Sequence, residues 1–288
     1  MILFLADGRL GNQMFQYVFL KTIQRDNEKL IVSGFEDLQE VCEVNDILNL
    51  NKKSKWLRVF LFRLCKIVLE FLSNRKTISS ISVKHEIILN QYKREDIFFI
   101  EEKGLIASIV FVKLGFFQSE EFFNKKIVQK LVIKNIFLQK ADIFLSSIPK
   151  EGHRVFIHIR RGDYINYKVY GESTLLPLSY YKKQIDWFIR NRENPIFIFL
   201  SDEPEFIEKE FAYIDNKVIS RDNHYGVDLA IMTKCNSAIL SPSSFGWWGN
   251  YLMEDRDVVF TPKYWLGFNS KIEYHKKSNL TYAVEVLV

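Results

Sequence analysis

The stretch VFIHIRRGDYINY, residues 155–167, joins an apolar run directly to two adjacent arginines. Its first residues are aromatic or β-branched, which predicts a buried strand that ends just before the arginines. Side chains alternate along a strand, so Val155 and Ile157 share one face. His158 and Arg160 share the opposite face, whose polarity grows toward the carboxyl end of the strand. Ligands of parallel sheets bind at that end.

The rest of the second half alternates between strand and helix patterns. Five predicted strands alternate with four predicted helices, which favours a doubly wound α/β domain. The strands are predicted at 154–159, 195–201, 217–220, 237–241 and 257–261, and the helices at 178–193, 203–214, 226–235 and 244–255.

The first half opens with a βαβ pattern and then becomes less regular. A strand is predicted at 1–6, a helix at 14–27, a strand at 29–35, and further helices at 56–72 and 120–140. Pro149 and Gly152 interrupt the pattern and predict a domain boundary, giving domains 1–150 and 151–288.

Composition excludes several classes of protein. With 48% hydrophobic residues in 288, a large core is available and long disorder is not expected. The net charge of +5 suits an anionic small molecule or an acidic membrane surface but is too weak to indicate nucleic acid. Three dispersed cysteines predict reduced thiols. The N-terminus resembles a strand rather than a signal peptide, so a cytoplasmic protein without a membrane span is expected.

Polar side chains cluster where the predicted strands of the second half end. Arg160, Arg161 and Asp163 follow the first strand, and Asp202 follows the second. The segment SPSSFG, residues 241–246, follows a later strand and opens a helix, whose free N–H groups suit a phosphate. Together these features predict a diphosphate site, because arginine binds phosphate in a bidentate manner. A solvated turn with an Arg–Asp163 salt bridge is the alternative.

The loop GRLGNQ, residues 8–13, lacks the G-x-G-x-x-G pattern of dinucleotide-binding folds. Gly8 and Gly11 are expected to allow a close backbone approach. No metal site and no cofactor are predicted, since there is no Cys/His cluster. One D-x-D pair, Asp255 and Asp257, precedes a strand and so falls at the wrong end of the sheet.

The sequence contains six motifs, GRLGNQMFQY (8–17), LGFFQSEEFF (114–123), HIRRGDY (158–164), FLSDEPEF (199–206), DLAIMTKCNSAILSPSSFGWWG (228–249) and FTPKYW (260–265). Together they resemble the bacterial α-1,2-fucosyltransferases of glycosyltransferase family 11. The resemblance implies a GT-B-like α/β fold of two Rossmann-like domains facing across a cleft. It also implies metal-independent, inverting transfer of L-fucose from GDP-β-L-fucose to the 2-hydroxyl of a terminal galactose. The donor would bind the C-terminal domain and the acceptor mainly the N-terminal one.

The resemblance also implies roles for individual residues. It implies catalytic roles for Arg160 and Arg161, which would form the phosphate clamp, for Asp163, which would hold them, and for Asn12. Donor binding falls to His158, Arg9, Gly11, Asp202, Asp228, Ser243, Ser244 and Phe245, and acceptor contacts to Gln13 and Glu172.

Several alternatives stay open from the sequence. The general base is Asp163, Glu172, Asp202 or the departing phosphate. The linkage could be α-1,6 or α-1,3, and a non-catalytic nucleotide- or membrane-binding protein is a further alternative. Residues 52–76 are basic and apolar, which is compatible either with a core helix or with peripheral contact to the anionic inner face of a membrane.

Overall fold

The computed structural model describes residues 1–50, 55–84, 98–149, 151–275 and 277–288. The chain forms two compact units, Met1–Val132 and Ile133–Val288.

Unit 1 is built on a six-stranded sheet with the order β3-β2-β1-β6-β4-β5, in which only β5 is antiparallel to its neighbour. The strands are β1 (Ile2–Leu5), β2 (Leu30–Ser33), β3 (Leu48–Asn49), β4 (Ile78–Lys84), β5 (Phe98–Glu102) and β6 (Ile106–Val112). The helices are α1 (Leu10–Ile23), α2 (Glu36–Val41), α3 (Lys55–Asn74) and α4 (Lys125–Val128), with a 3₁₀ turn at Glu120–Phe122.

Unit 2 is built on a second six-stranded sheet, which is parallel throughout and has the order β11-β10-β7-β12-β13-β14. Its strands are β7 (His153–Ile159), β10 (Pro195–Ser201), β11 (Lys217–Ile219), β12 (Ser237–Leu240), β13 (Val259–Pro262) and β14 (Val284–Val286). Its helices are α5 (Asn135–Ser146), α6 (Leu178–Asn191), α7 (Pro204–Glu210), α8 (Tyr225–Thr233) and α9 (Ser244–Tyr251). Numbered within the unit, the strand order is 3-2-1-4-5-6, the Rossmann arrangement, so the doubly wound prediction is confirmed.

The first strand of unit 2 has the predicted two faces. Val155, Ile157 and Ile159 belong to one core cluster, together with Tyr181 and Phe188 of α6. His158 lies on the other face against α9, where Gly246 sits over its ring. The strand pattern of the sequence therefore fixes which side chains face which helix layer.

The predicted helix at 120–140 is wrong. Ser119 accepts a hydrogen bond from the Glu121 N–H and begins the 3₁₀ turn, and Asn124 accepts one from the Lys126 N–H at 3.0 Å and begins α4. Each of these side chains acts as an N-cap, so a new helical turn begins at each of them and one continuous helix does not form. The chain then leaves the helix, and the Val132 carbonyl accepts a hydrogen bond from the Glu43 N–H. The helical periodicity resumes only in α5.

The unit boundary falls 18 residues before the predicted domain boundary at 150. Helix α5 packs against α8, and Phe137 of α5 lies over Gly226, which makes α5 the first element of unit 2. Pro149 and Gly152 therefore lie in a connection inside unit 2, and the domain division at residue 150 stays a prediction.

Two features of the β-structure that is described in unit 2 were not predicted. One is the sixth strand, β14. The other is a small hairpin of β8 (Lys168–Val169) and β9 (Glu172–Ser173), whose two turn residues, Tyr170 and Gly171, have φ values of 52° and 83°. Two consecutive positive φ angles match a type I′ turn, which joins short antiparallel strands.

Candidate active site

The topological switch point of unit 2 lies between β7 and β12, because the chain order of the strands reverses there. At the carboxyl end of β7, Arg160 donates from Nε to Asp163 Oδ1 at 2.7 Å, and its Nη1 lies 3.3 Å from Asp202 Oδ2. Burial alone would lower the pKa of Arg160, but the contacts with Asp163 and Asp202 outweigh it and raise the pKa. Two carboxylates thus hold this guanidinium at the edge of the sheet.

Arg161 is held by a different pair of side chains. Its Nε donates to Glu203 Oε2 at 2.8 Å, and its guanidinium carbon lies 3.6 Å from the centre of the Phe206 ring. The side chain is only 19% exposed. Stacking on an aromatic face and a hydrogen bond at Nε fix the plane of the guanidinium.

Asp202 also fixes the backbone between the two arginines. Its Oδ1 accepts a hydrogen bond from the Arg161 N–H at 3.0 Å. A Cβ atom on Gly162 would lie 2.7 Å from Oδ2 of the same carboxylate, so a larger residue there would displace the Asp202 side chain. The aspartate predicted to bind the donor therefore shapes the loop that carries the arginines.

His158 is buried beneath the start of α9. Its Nδ1 and the Ser241 hydroxyl are 2.7 Å apart, and its ring centre lies 5.8 Å from that of Phe245. Burial, with a smaller effect from the charge of Arg160, lowers the pKa of His158 to about 3. The imidazole is therefore neutral at physiological pH, and its direct contact with a nucleotide stays a prediction.

The Ser-rich segment begins α9 at the same edge of the sheet. Ser243 is the N-cap residue and accepts a hydrogen bond from the Phe245 N–H at 3.4 Å. Tyr164 donates from its hydroxyl to the Pro242 carbonyl at 2.8 Å, which ties the arginine loop to this helix start. The structure thus brings the arginine pair, His158 and the residues Ser243–Phe245 together, as the sequence predicts for adjoining strand ends.

Asp228 lies in the first turn of α8, which follows β11. Its Oδ1 accepts a hydrogen bond from the Ser220 hydroxyl at 2.5 Å, and Asn223 in turn donates to that hydroxyl. Burial raises the pKa of Asp228 to about 6, although Ser220 and His224 act in the opposite direction. Strand β11 is two strands from β7, a separation of about 10 Å.

Glu172 lies on the β8–β9 hairpin and is exposed. The hairpin is held to the rest of unit 2 by Asn269, which donates to the Ser173 carbonyl at 2.8 Å. The role of Glu172 toward an acceptor or as a base stays a prediction.

In unit 1 the loop between β1 and α1 is held by glutamines. Gln13 is buried, donates to the Gly8 carbonyl at 3.0 Å and accepts from the Leu38 N–H at 2.8 Å. Both ends of this amide serve the scaffold, so its acceptor contact stays a prediction. Asn12 accepts from the Gln118 side chain at 2.8 Å. Arg9 is exposed and is the N-cap residue of α1, and Gly11 is buried.

A cleft of about 340 Å³ opens in unit 1 where β1 and β6 end, under α3. In the unit 1 sheet β1 and β6 are neighbours at the place where the strand order reverses, so this cleft occupies the ligand position of an open α/β sheet. Its floor is apolar and its rim is polar. The rim residues are Asp7, Lys66, Glu70, Asn74 and Lys113, and the apolar residues are Leu5, Phe62, Phe111, Val112 and Leu114.

The D-x-D pair lies at the amino end of the unit 2 sheet, as predicted. Asp257 pairs with Arg192 at 2.6 Å, and Asp255 accepts a hydrogen bond from Asn236. Within the described part of the chain, no group of three or more His, Cys, Asp or Glu side chains is arranged to hold a metal ion.

Sequence reasoning missed the side chains that position the site. Glu203 and Phe206 hold Arg161, and Ser241 holds His158. The motif SDEPEF carries a signal for the first two, because Glu203 follows Asp202 at a strand end and Phe206 lies in the first turn of a helix. Nothing in the spacing shows that Glu203 and Phe206 meet an arginine that lies 42 and 45 positions earlier.

The model of the family described as "Glycosyl transferase family 11" matches residues 1–283. The chain belongs to glycosyltransferase family 11. Among curated relatives, this family 11 glycosyltransferase is 26% identical to the O-antigen biosynthesis glycosyltransferase WbnK of Escherichia coli, over 92% of the chain and 94% of WbnK. It is 26% identical to an alpha-1,2-colitosyltransferase of E. coli, with 90% of each covered. Its identity to galactoside alpha-(1,2)-fucosyltransferase 1 of Sus scrofa is 25%, over 94% of the chain and 70% of the relative.

Solved structures confirm the fold class. The family 11 chain superposes on POFUT1 in complex with GDP-fucose with a TM-score of 0.53 at 13% identity, covering 90% of the chain and 97% of POFUT1. On NodZ alpha-1,6-fucosyltransferase co-crystallized with GDP, the TM-score is 0.51 at 11% identity, with 90% and 94% covered. The fold is therefore α/β of the GT-B type, with two Rossmann-like units. Among the helices that the structure describes, none is long and apolar enough to cross a bilayer.

Proposed function

We propose that this family 11 enzyme transfers L-fucose from GDP-β-L-fucose to the 2-hydroxyl of a terminal galactose, with inversion at the anomeric carbon. The observation that carries the proposal is the arginine pair fixed at the switch point of unit 2. A diphosphate leaving group needs positive charge, and Arg160 and Arg161 supply it at the ligand position of a Rossmann-like sheet. The α-1,2-transferases among the relatives, and the GDP and GDP-fucose complexes of NodZ and POFUT1, agree with it.

The arginines act on the leaving group. As the acceptor's 2-oxygen bonds to the fucose C1 and the bond from C1 to the β-phosphate oxygen breaks, negative charge grows on that phosphate. The proton of the 2-hydroxyl passes to the departing phosphate or to Glu172, because Asp163 and Asp202 are paired with Arg160. Donors held in place beforehand stabilise this charge without reorganising during the reaction. Asp163, Asp202 and Glu203 hold the guanidinium groups, so we assign these carboxylates to positioning. The transfer needs no metal ion, because the two guanidinium groups take the place of the divalent cation.

The remaining donor contacts follow the edge of the unit 2 sheet. Ser243, Ser244 and Phe245 offer the N-terminus of α9 to the phosphates, and Asp228 binds guanine or ribose. His158 is neutral and supports α9 from below, through Ser241. The roles of Arg9, Gly11 and Asn12 toward the donor remain those given by the family resemblance.

The acceptor galactoside binds the cleft under α3 in unit 1. The cleft's volume of about 340 Å³ suits a small sugar. Glu70 and Asn74 offer hydrogen-bonding groups to sugar hydroxyls, and Phe62 and Leu114 offer apolar surface to a sugar ring.

Substitution of the cleft's polar rim is expected to weaken acceptor binding alone. Glu70→Ala and Asn74→Ala each remove a hydrogen bond to a sugar hydroxyl, so the KM for a β-galactoside should rise about tenfold. The KM for GDP-fucose and the slow hydrolysis of GDP-fucose in the absence of acceptor should not change. Glu151→Gln, at an exposed position before β7, is the control. An unchanged acceptor KM in both cleft variants would contradict this acceptor site.

Colitosyl transfer is a second candidate, favoured by the α-1,2-colitosyltransferase among the relatives. Colitose differs from fucose by the loss of one ring hydroxyl, so the same phosphate clamp would serve both nucleotide sugars. Donor choice then depends on whether a polar group of the enzyme binds that hydroxyl.

The test is incubation with GDP-fucose or GDP-colitose and a panel of β-galactosides, followed by linkage analysis of the products. An α-1,2-linked fucoside, formed at the same rate with and without EDTA, is the expected result. An α-1,6 or α-1,3 product would overturn the linkage, a preference for GDP-colitose would overturn the donor, and loss of activity in EDTA would overturn the metal-independent clamp. If the protein binds GDP but transfers sugar from neither donor, the proposed enzyme activity is overturned and the protein only binds a nucleotide.

A further inference from the structure

Helix α3 has an apolar face that packs inward. Phe62, Cys65, Leu69 and Leu72 contact the small core cluster formed by Leu5, Ile78 and Phe111. These contacts hold the helix on the unit 1 sheet without using its other side.

A second apolar face of the same helix points to solvent. Leu64, Ile67, Val68 and Phe71 are 46%, 65%, 44% and 57% exposed. Their spacing of three and four residues places them on one side of an α-helix. We call these four residues the α3 stripe. Single exposed apolar residues are ordinary on protein surfaces, but four neighbours on one helix indicate a binding surface.

The positive charge of the whole chain is concentrated in the sequence segment that contains this stripe. Residues 51–76 contain eight Lys or Arg and one Glu, a net charge of +7, whereas the full chain carries +5. The rest of the protein is therefore slightly negative, at −2. Residues 51–54 lie outside the described part of the chain, but Arg63, Lys66, Arg75 and Lys76 are described and exposed.

We infer that α3 docks this protein on an anionic lipid bilayer, with its axis in the plane of the interface. Apolar side chains flanked by cations are what such a surface binds, since the stripe enters the acyl boundary and the cations meet lipid phosphates. A second copy of the chain fits less well, because two segments of +7 would repel each other. This inference does not depend on the donor or acceptor proposed above.

A neighbouring loop extends the surface at the end of α3. Leu105, which is 90% exposed, donates from its N–H to the Lys76 carbonyl at 2.9 Å. Arg75 lies over the Phe71 ring, 5.4 Å from its centre, so a cation accompanies the apolar side chain at this end. Docking here would also bring the unit 1 cleft close to the lipid headgroups, because Lys66, Glu70 and Asn74 of the same helix line its rim.

Flotation with vesicles tests the inference on the full-length protein. We expect the wild type to float with vesicles that contain phosphatidylglycerol at low salt, less at high salt, and not with pure phosphatidylcholine. The double variant Ile67→Glu/Phe71→Glu should lower the partition coefficient roughly tenfold or more. Its matched control is Ile136→Glu/Ile143→Glu on α5, which makes the same charge change at positions that are 56% and 71% exposed. The control should float like the wild type.

Three outcomes would overturn the inference. The first is that the wild type stays at the bottom of the gradient with anionic vesicles at low salt. The second is that the stripe variant floats as well as the wild type. The third is a loss of flotation equal in the stripe variant and the control, which would show that only net charge matters. Light scattering on the same samples tests whether the stripe joins two copies of the chain instead. In that case the wild type would be a dimer, the stripe variant would be a monomer, and neither would bind vesicles. Thermal melting shows whether each variant is folded.

Discussion

The Arg161→Ala enzyme is expected to transfer fucose about 10²–10³ times more slowly than the wild type at saturating donor and acceptor. In the proposed mechanism, Arg161 supplies one of the two fixed guanidinium groups that stabilise the departing GDP. Its orientation comes from Glu203 at 2.8 Å and from the ring of Phe206 at 3.6 Å. Since the side chain acts on charge that develops only in the transition state, kcat and kcat/KM should fall together.

The Arg161→Lys variant distinguishes the effect of the positive charge on the rate from the effect of the planar guanidinium group. Lysine keeps the positive charge but has neither the planar group that stacks on Phe206 nor the fork that binds two phosphate oxygens. We therefore expect the lysine variant to recover only a small part of the lost rate. Phe206→Leu, which removes the stacking surface and leaves the arginine, should lower kcat less than Arg161→Ala but in the same direction.

The control is Arg221→Ala. Arg221 also follows a strand of unit 2, but it is exposed and pairs with Glu205 and Glu208. Exposed ion pairs contribute little to the free energy of unfolding. The melting temperature and the kcat of the Arg221→Ala enzyme should therefore stay close to those of the wild type. If Arg161→Ala keeps the wild-type kcat while folded, the phosphate clamp is not at this position, and the proposed chemistry loses its main support.

Much of the fold could be predicted from the sequence because its signals are local. The strand PIFIFLS is an uninterrupted apolar run and is observed with the predicted bounds, Pro195–Ser201. The placement of Arg160 and Arg161 at the edge of the sheet follows from the strand pattern that precedes them. Once the strands are parallel, their carboxyl ends share one edge, so the convergence of the arginine loop with SPSSFG could be predicted as well.

The interactions that give these residues their roles could not be predicted, because they join distant parts of the chain. Arg161 meets Glu203, and His158 meets Ser241, through contacts that depend on how neighbouring strands align. The false helix at 120–140 has a similar cause. Its periodicity is genuine on both sides, but the Val132 carbonyl pairs with the Glu43 N–H, and this contact with another segment ends the helical path.

Asp228→Asn is expected to have opposite effects on donor binding and on stability. If the carboxylate binds guanine or ribose, losing its charge should raise the KM for GDP-fucose about tenfold to a hundredfold. In the wild type the same KM should rise as the pH falls below about 6, where Asp228 takes up a proton. The asparagine variant should lack this pH dependence.

The stability effect follows from the raised pKa. Burial raises the pKa of Asp228 from 3.8 to about 6, so between these values the folded protein holds a proton that the unfolded chain has released. The free energy of unfolding contributed by this group therefore falls as the pH rises from about 4 to about 6, and it stays low above that range. Asparagine cannot ionise and can still accept a hydrogen bond from Ser220. The variant should thus melt at a higher temperature than the wild type at neutral pH, and the difference should vanish near pH 4.

Asp222→Asn is the matched control, because Asp222 is an exposed carboxylate six residues earlier, with a φ of 54° that asparagine tolerates. It should change neither the donor KM nor the pH dependence of melting. A purely structural Asp228 would give the gain in melting temperature without the rise in donor KM. Such a result would remove Asp228 from the donor site while leaving the arginine clamp untouched. Both effects together would mean that the protein keeps a destabilising buried charge because the nucleotide requires it.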